Sequence, residues 1–206
     1  KDIAVKLSEV SDLNEEYCLA RILIEEAKNL YTSGDCVSSA EKYGSAAKKL
    51  EKIAQAMEIE TERKELLPLI HMCQAWQKMS VAEEMADATL YAEASELFAK
   101  AKENSVNKRT AMLAAGNSCI CRALEVGAKY KSTKNMVFYS EAKHNMESAS
   151  DYYMDAGFEK ASTWVSATEA LFDAYFYMDK AETEADHANK TKFYGLAEGY
   201  LDRSAR

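Results

Sequence analysis

DLNEEYCLARILIEEAKNLYTSGDCVSSAEKYGSAAKKLEKIA, residues 12–54, decides the fold class. Leu13, Tyr17, Ala20, Leu23, Ile24, Ala27, Leu30 and Tyr31 recur at i, i+3, i+4 and i+7, the spacing of one helix face. Asp12 reads as the N-cap of this helix, with Glu15 as its capping-box partner. Ser33-Gly34-Asp35 then interrupts the run. A second apolar stripe follows at Val37, Ala40, Tyr43, Ala47, Leu50, Ile53 and Ala54. Two helices of about twenty residues joined by so short a turn must lie antiparallel. The stretch is therefore a helical hairpin.

Composition extends that reading to the whole chain. Of 206 residues one is proline, Pro68, and seven are glycine; ordinary usage would supply roughly ten and fourteen. Such sparse punctuation excludes most all-β folds, whose short strands need a turn signal every ~8–12 residues. The formal net charge of −8 gives an exterior that repels phosphate backbones and anionic membranes, so no nucleic-acid partner is expected. No apolar run approaches the ~20 residues that would cross a bilayer. The opening KDIAVKLSEV lacks an initiator Met, an apolar core and a cleavage site. It reads as the start of a fragment of a longer chain, without a secretory signal. Cys18, Cys36, Cys73, Cys119 and Cys121 are odd in number and contain no CxxC pair. They fit reduced packing thiols of a cytoplasmic protein.

Helical periodicity continues to the end. The expected third helix starts near Leu66 or Leu67, with Pro68 in its first turn, where proline is tolerated, and runs to about Thr89. A fourth covers Tyr91 to about Glu103, and a fifth about Lys108 to Tyr130. A sixth carries Phe138, Ala142, Met146, Ala149 and Tyr153 and ends at Gly157. A seventh takes Ala161, Trp164, Ala167, Leu171 and Tyr175, giving way around 185–189, and an eighth carries Phe193, Leu196, Ala197, Tyr200 and Leu201. Nothing marks a domain boundary, so residues 1–206 are expected to form one all-α domain of about eight helices. Thirteen of the 20 aromatic residues lie from Phe138 onward, so the C-terminal helices should pack around large rings.

The chain also aligns on itself. Ala82, Gly116 and Ala149 lie 34 and 33 residues apart, each followed twelve residues later by alanine: Ala94, Ala128 and Ala161. Small residues at such positions let antiparallel helices approach closely. This pattern resembles the tetratricopeptide repeat, a helix–turn–helix unit of ~34 residues. Gly34-Asp35 with Ala40, Tyr43 and Ala47, YAEASELFAKA (91–101) and DAGFEKA (155–161) carry the resemblance. The middle unit departs from it, because Arg122-Ala123-Leu124-Glu125 favours helix where the family turns. Long, irregular helices with such signals are similar to the SNAP-type branch, the adaptors of vesicle fusion, as in SASDYYMDAGFEKA (148–161). The first hairpin alone also resembles an MIT-type module, which binds peptide tails.

The resemblance implies antiparallel hairpins in series, with the first helix of each unit lining a concave ligand face. That places Arg21, Ile24 and Lys28, then Trp76, Met79 and Glu83, then Leu113 and Asn117, then Lys143, Met146 and Ser150 on the binding side. Arg21, Lys28, Trp76, Glu83, Asn117, Lys143 and Ser150 are the expected partner contacts. The implied function is a non-catalytic adaptor for a peptide or helical protein partner, without cofactor or metal.

Chemistry has few rival footholds. His71, His144 and His187 are the only histidines, and there is no GxSxG, P-loop, GxGxxG or HExxH. Glu141-x-x-His144 and Glu184-x-x-His187 do match the paired Glu-x-x-His of ferritin-like di-metal oxidoreductases, in which i and i+3 project together into a bundle. Helix phase opposes this, because the Tyr139, Ala142, Met146 stripe turns Glu141 and His144 outward. A regulatory or sensor domain of a larger protein is the third reading. The run Tyr175-Phe176-Tyr177 points in three directions, so at least one ring should be exposed.

Overall fold

The structure, a computed structural model, describes the backbone of residues 2–205 and the side chains of residue 8 and residues 10–205. Among the described residues there are eight α-helices and no strand: α1 (Asp2–Thr32), α2 (Cys36–Ala56), α3 (Glu60–Met85), α4 (Ala88–Asn104), α5 (Lys108–Thr133), α6 (Met136–Asp155), α7 (Glu159–Thr183) and α8 (His187–Ala205). Each packs against the next along the chain. The expected all-α series of eight helices is what forms.

Local chemistry sets the corners. Gly34 adopts φ +86°, which lets the Asp35 N–H reach back to the Leu30 carbonyl at 2.9 Å and close α1. Asp35 then caps α2 by accepting from the Ser38 N–H at 3.0 Å. Asp87 caps α4 through the Thr89 N–H and hydroxyl, Asn107 caps α5 through Thr110, and Asn135 caps α6 through Val137. The Ser38 N–H at Asp35, and at Asp87 the Thr89 hydroxyl followed by its N–H, stabilise the ionised carboxylates and hold both below their usual range. A depressed folded-state pKa contributes stability above the unfolded pKa and loses it as pH falls through the folded one. Thermal unfolding should therefore move to lower temperature as pH drops below about 4. In an Asp35→Asn, Asp87→Asn variant, which keeps the cap acceptors without the charge, this acid dependence should be shallower. An unchanged slope would show that other carboxylates carry it.

Three boundaries differ from the sequence expectation. α1 runs unbroken from Asp2, so Asp12 is an exposed mid-helix residue and not a cap. α3 starts at Glu60, putting Pro68 in its third turn. Glu60 and Glu62 stabilise the first turn against the helix dipole. Pro68 leaves the carbonyl of Lys64, an exposed residue, without its helical donor. Finally, α3 stops at Met85 rather than near Thr89, because Ala86 turns left-handed at φ 53° and Asp87 caps the next helix. A non-glycine residue pays for this conformation, so Ala86→Gly should raise stability by about 0.5–1 kcal/mol in urea titrations. A loss of stability would contradict the observed corner.

The hairpins are longer than the self-alignment suggests. α2, α4, α6 and α8 begin at Cys36, Ala88, Met136 and His187, a spacing of roughly 50 residues against the ~34 of a tetratricopeptide unit. Ala82 and Gly116 do occupy first helices of successive hairpins, but Ala149 falls on the second helix of its own. All three are nonetheless buried at helix contacts. They mark close approach rather than a repeat period.

The core divides into two clusters with one ring common to both. The first gathers Ala20, Ile24, Tyr43, Leu50 and Ile53 between α1, α2 and α3. The second centres on Phe98, Met79, Ile120, Met146 and Val165 from α3 to α7. Trp76 packs against both, with its ring 5.5 Å from Tyr31, 6.1 Å from Tyr43 and 5.5 Å from Phe98. Toward the C-terminus the expected large-ring packing is present. Tyr139 stacks on Phe176 at 4.2 Å, and Tyr177 on Tyr200 of α8 at 5.5 Å. Phe176 is buried, while Tyr175 is 56% exposed, as its position in the run requires.

Candidate functional site

A groove of about 1320 Å³ opens on the side formed by α1, α3 and α5. Helical spacing builds its walls. Tyr17, Arg21, Ile24 and Lys28 descend α1 at steps of three and four, and Leu69, Met72, Cys73 and Trp76 do the same on α3. Thr110, Leu113 and Asn117 line it from α5, and the α4–α5 connection adds the exposed Val106. Phe158, Lys160 and Ala161 close the far end from the start of α7. That end is tied down by Arg109, whose Nε donates to the Ala156 carbonyl at 2.9 Å while its guanidinium lies 4.6 Å from the Phe158 ring.

The expected contact residues separate into two groups. Arg21, Lys28, Trp76 and Asn117 come together in this groove, with Ile24 and Leu113. Glu83, Lys143 and Ser150 lie outside its lining. Glu83 accepts from the Tyr31 hydroxyl and faces the Cys36 thiol. Lys143 joins α6 to α7 through Asp173 at 2.9 Å and Glu169 at 3.1 Å, and Tyr139 also donates to the buried Asp173. These two carboxylates raise the Lys143 pKa, against the opposing effect of its burial. Ser150 shares a 2.7 Å hydrogen bond with Ser162 of α7. Met79 is buried in the core, and Met146 lines a smaller cleft between α5 and α7.

Sequence reasoning missed part of the groove. Leu69 and Met72 follow from carrying the Trp76 stripe back along α3, a signal obscured by starting that helix too late. Val106, Phe158 and Lys160 reach the groove only because chain connections fold against its ends, and periodicity carries no trace of that.

Asn117 is the most constrained polar group in the groove. Its side chain is only 4% exposed, and its Oδ1 accepts from the Tyr153 hydroxyl at 2.6 Å. Its Nδ2 has no hydrogen-bond partner among the described residues. Cys73 also lines the groove, its thiol pushed up to about 12 by burial. A protonated, buried thiol is a poor nucleophile. Iodoacetamide at neutral pH should therefore modify the exposed Cys18 well before Cys73 or the buried Cys121, read by peptide mass mapping. Rapid native-state labelling of Cys73 would contradict this packing.

The two Glu-x-x-His pairs are dispersed. Glu141 and His144 lie on α6, with Glu141 facing Arg122 at 3.5 Å and His144 exposed. Glu184 follows the end of α7 and His187 opens α8. Among the described residues no group of three or more His, Cys, Asp or Glu side chains is gathered to hold a metal ion. No described helix is long and apolar enough to cross a membrane. No family model, curated protein or solved structure matches the chain.

Proposed function

We propose that the chain is a non-catalytic cytoplasmic adaptor whose α1–α3–α5 groove receives a segment of a protein partner. The groove itself is the observation that supports this: first helices of successive hairpins wall it, and its lining mixes apolar rings with a few cations. Helix arrays that stack in series present extended concave surfaces of this kind. Its volume of about 1320 Å³ exceeds the ~300–1,000 Å³ of ordinary small-molecule sites. Hairpins of roughly 50 residues exceed the ~34-residue tetratricopeptide unit, so of the two resemblances we favour the SNAP-like one, with its long and irregular helices.

Site-specific photo-crosslinking in lysate of the source organism tests the reading. A photoreactive phenylalanine analogue at Thr110 or Val106 should yield discrete protein adducts. The same analogue at Lys48 or Glu147, exposed residues of α2 and α6 outside the groove, should not. Equal adducts from all four positions would overturn the groove as the binding face.

A further inference from the structure

We infer that α7 carries a self-association seam whose partner is a second copy of this chain, packed antiparallel about a two-fold axis at Leu171. The inference goes beyond the groove reading and does not depend on it. Trp164, Thr168, Leu171, Tyr175 and Met178 follow one another on α7 at steps of four, three, four and three. That is the a/d spacing of a helix that packs against another helix. None of these residues belongs to either core cluster. Trp164 is 47% and Tyr175 56% exposed, and the other three are partly so. The far face of α7, with Ser162, Val165, Asp173 and Phe176, is the one buried within the chain. An outward face with large apolar rings in helix-packing register marks an interaction surface.

The order of residues along the seam selects the partner. Trp164 and Met178 each lie seven residues from Leu171, and Lys160 and Glu182 each lie eleven. An antiparallel pair centred on Leu171 therefore sets Trp164 against Met178 of the second copy, and Lys160 against its Glu182. The two-fold axis repeats both contacts, as an isologous interface requires. Lys160 and Glu182 are exposed, and among the described residues neither has an ion-pair partner within its own chain. A parallel pair would set lysine on lysine and glutamate on glutamate, so flanking charge opposes it. Shape agrees with this arrangement. Beside the seam, Ala123, Gly127 and Ala128 of α5 and Thr168 and Phe172 of α7 line a cleft of about 370 Å³. Packing within the chain does not require Gly127, because an added Cβ would meet Phe172 at an ordinary 3.5 Å. The small residues keep this surface low, and the antiparallel pair brings Tyr175 of the second copy to the level of Thr168 at the cleft. Its ring thereby leaves water. The net charge of −8 on each chain opposes association, so the pair should form only as concentration rises.

Sedimentation equilibrium of the whole chain at physiological salt tests this. The mean mass should rise from the 23.0 kDa of one chain toward twice that value as the chain is concentrated. Leu171→Glu places two carboxylates together on the axis and should abolish the rise. Lys160→Glu and Glu182→Lys, each alone, convert both flanking pairs to like charges and should weaken association by about tenfold. The two combined restore opposite charges and should return association to near the wild-type level. Lys160 and Glu182 are exposed, so this swap reads the interface even if Leu171→Glu disturbs folding. A monomer at every concentration would overturn the inference. So would a dimer indifferent to Leu171→Glu, or single charge reversals that the combined variant fails to rescue. Photo-crosslinking at Thr110 and Val106 reads the groove separately, so either reading can fail alone.

Discussion

Trp76→Ala should lower the stability of the chain by about 3 kcal/mol, the low end for deleting a large core ring, because Trp76 is half-buried and also lines the groove. The effect should go beyond magnitude. Trp76 is the ring on which both core clusters pack, touching Tyr31 and Tyr43 on one side and Phe98 on the other. In a series of helices where each contacts mainly its neighbours, cooperativity depends on such shared contacts. Urea unfolding followed by helical circular dichroism should therefore change from one transition to two. The earlier one would report the α1–α2 hairpin, and alkylation against urea of Cys73, buried in the first cluster, compared with Cys121, buried in the second, would assign it. A single transition at nearly the wild-type midpoint would show that the clusters are coupled elsewhere. Phe98→Ala makes the contrast, since Phe98 belongs to the second cluster alone: it should destabilise strongly without freeing the first hairpin.

Gly116→Ala should destabilise by about 1–3 kcal/mol, although alanine ordinarily favours a helix interior by ~1 kcal/mol over glycine. A Cβ at Gly116 would lie 2.6 Å from Cε1 and 2.8 Å from Cδ1 of Tyr153. That ring cannot step aside freely, because its hydroxyl is bonded to Asn117 and it is buried between α5 and α6. Glycines elsewhere provide the internal control. At Gly127 the added carbon would meet Phe172 at an ordinary 3.5 Å, and at Gly195 and Gly199 it would meet nothing within 4 Å. Alanine at those three positions should be neutral or stabilising by up to ~1 kcal/mol. Equal effects at all four glycines in urea titration would refute the close contact.

The contrast among these glycines shows which parts of the molecule were legible in sequence. Gly34 and Gly157 interrupt apolar stripes, and both adopt positive φ at hairpin corners, so local pattern located them. Gly116 was recognisable as a close-packing position from its spacing to Ala82. Its partner, Tyr153, was not, because a contact between residues 37 apart leaves no periodic trace. The misplacement of Pro68 has a similar cause. Proline preference for the first turn is a local rule, and here Pro68 is instead buried in the third turn, two residues before Ile70 joins the first core cluster. The expected binding residues divided along the same line. Arg21, Lys28, Trp76 and Asn117 share a groove because their helices are successive first members of hairpins. Lys143 and Ser150 share the sequence pattern but sit on α6, a second helix, where they hold α7 in place.

By itself the sequence determined eight helices, their antiparallel succession and the aromatic character of the C-terminal end. Each follows from apolar spacing, scarce breakers and the capping side chains Asp35, Asp87, Asn107 and Asn135, which act within a few residues of themselves. Tertiary structure alone decided the hairpin length, the double role of Trp76, and the gathering of Arg21, Asn117 and Lys160 around one groove. Those depend on where one helix meets another across dozens of residues, a matter of side-chain volume and close packing that no local periodicity encodes.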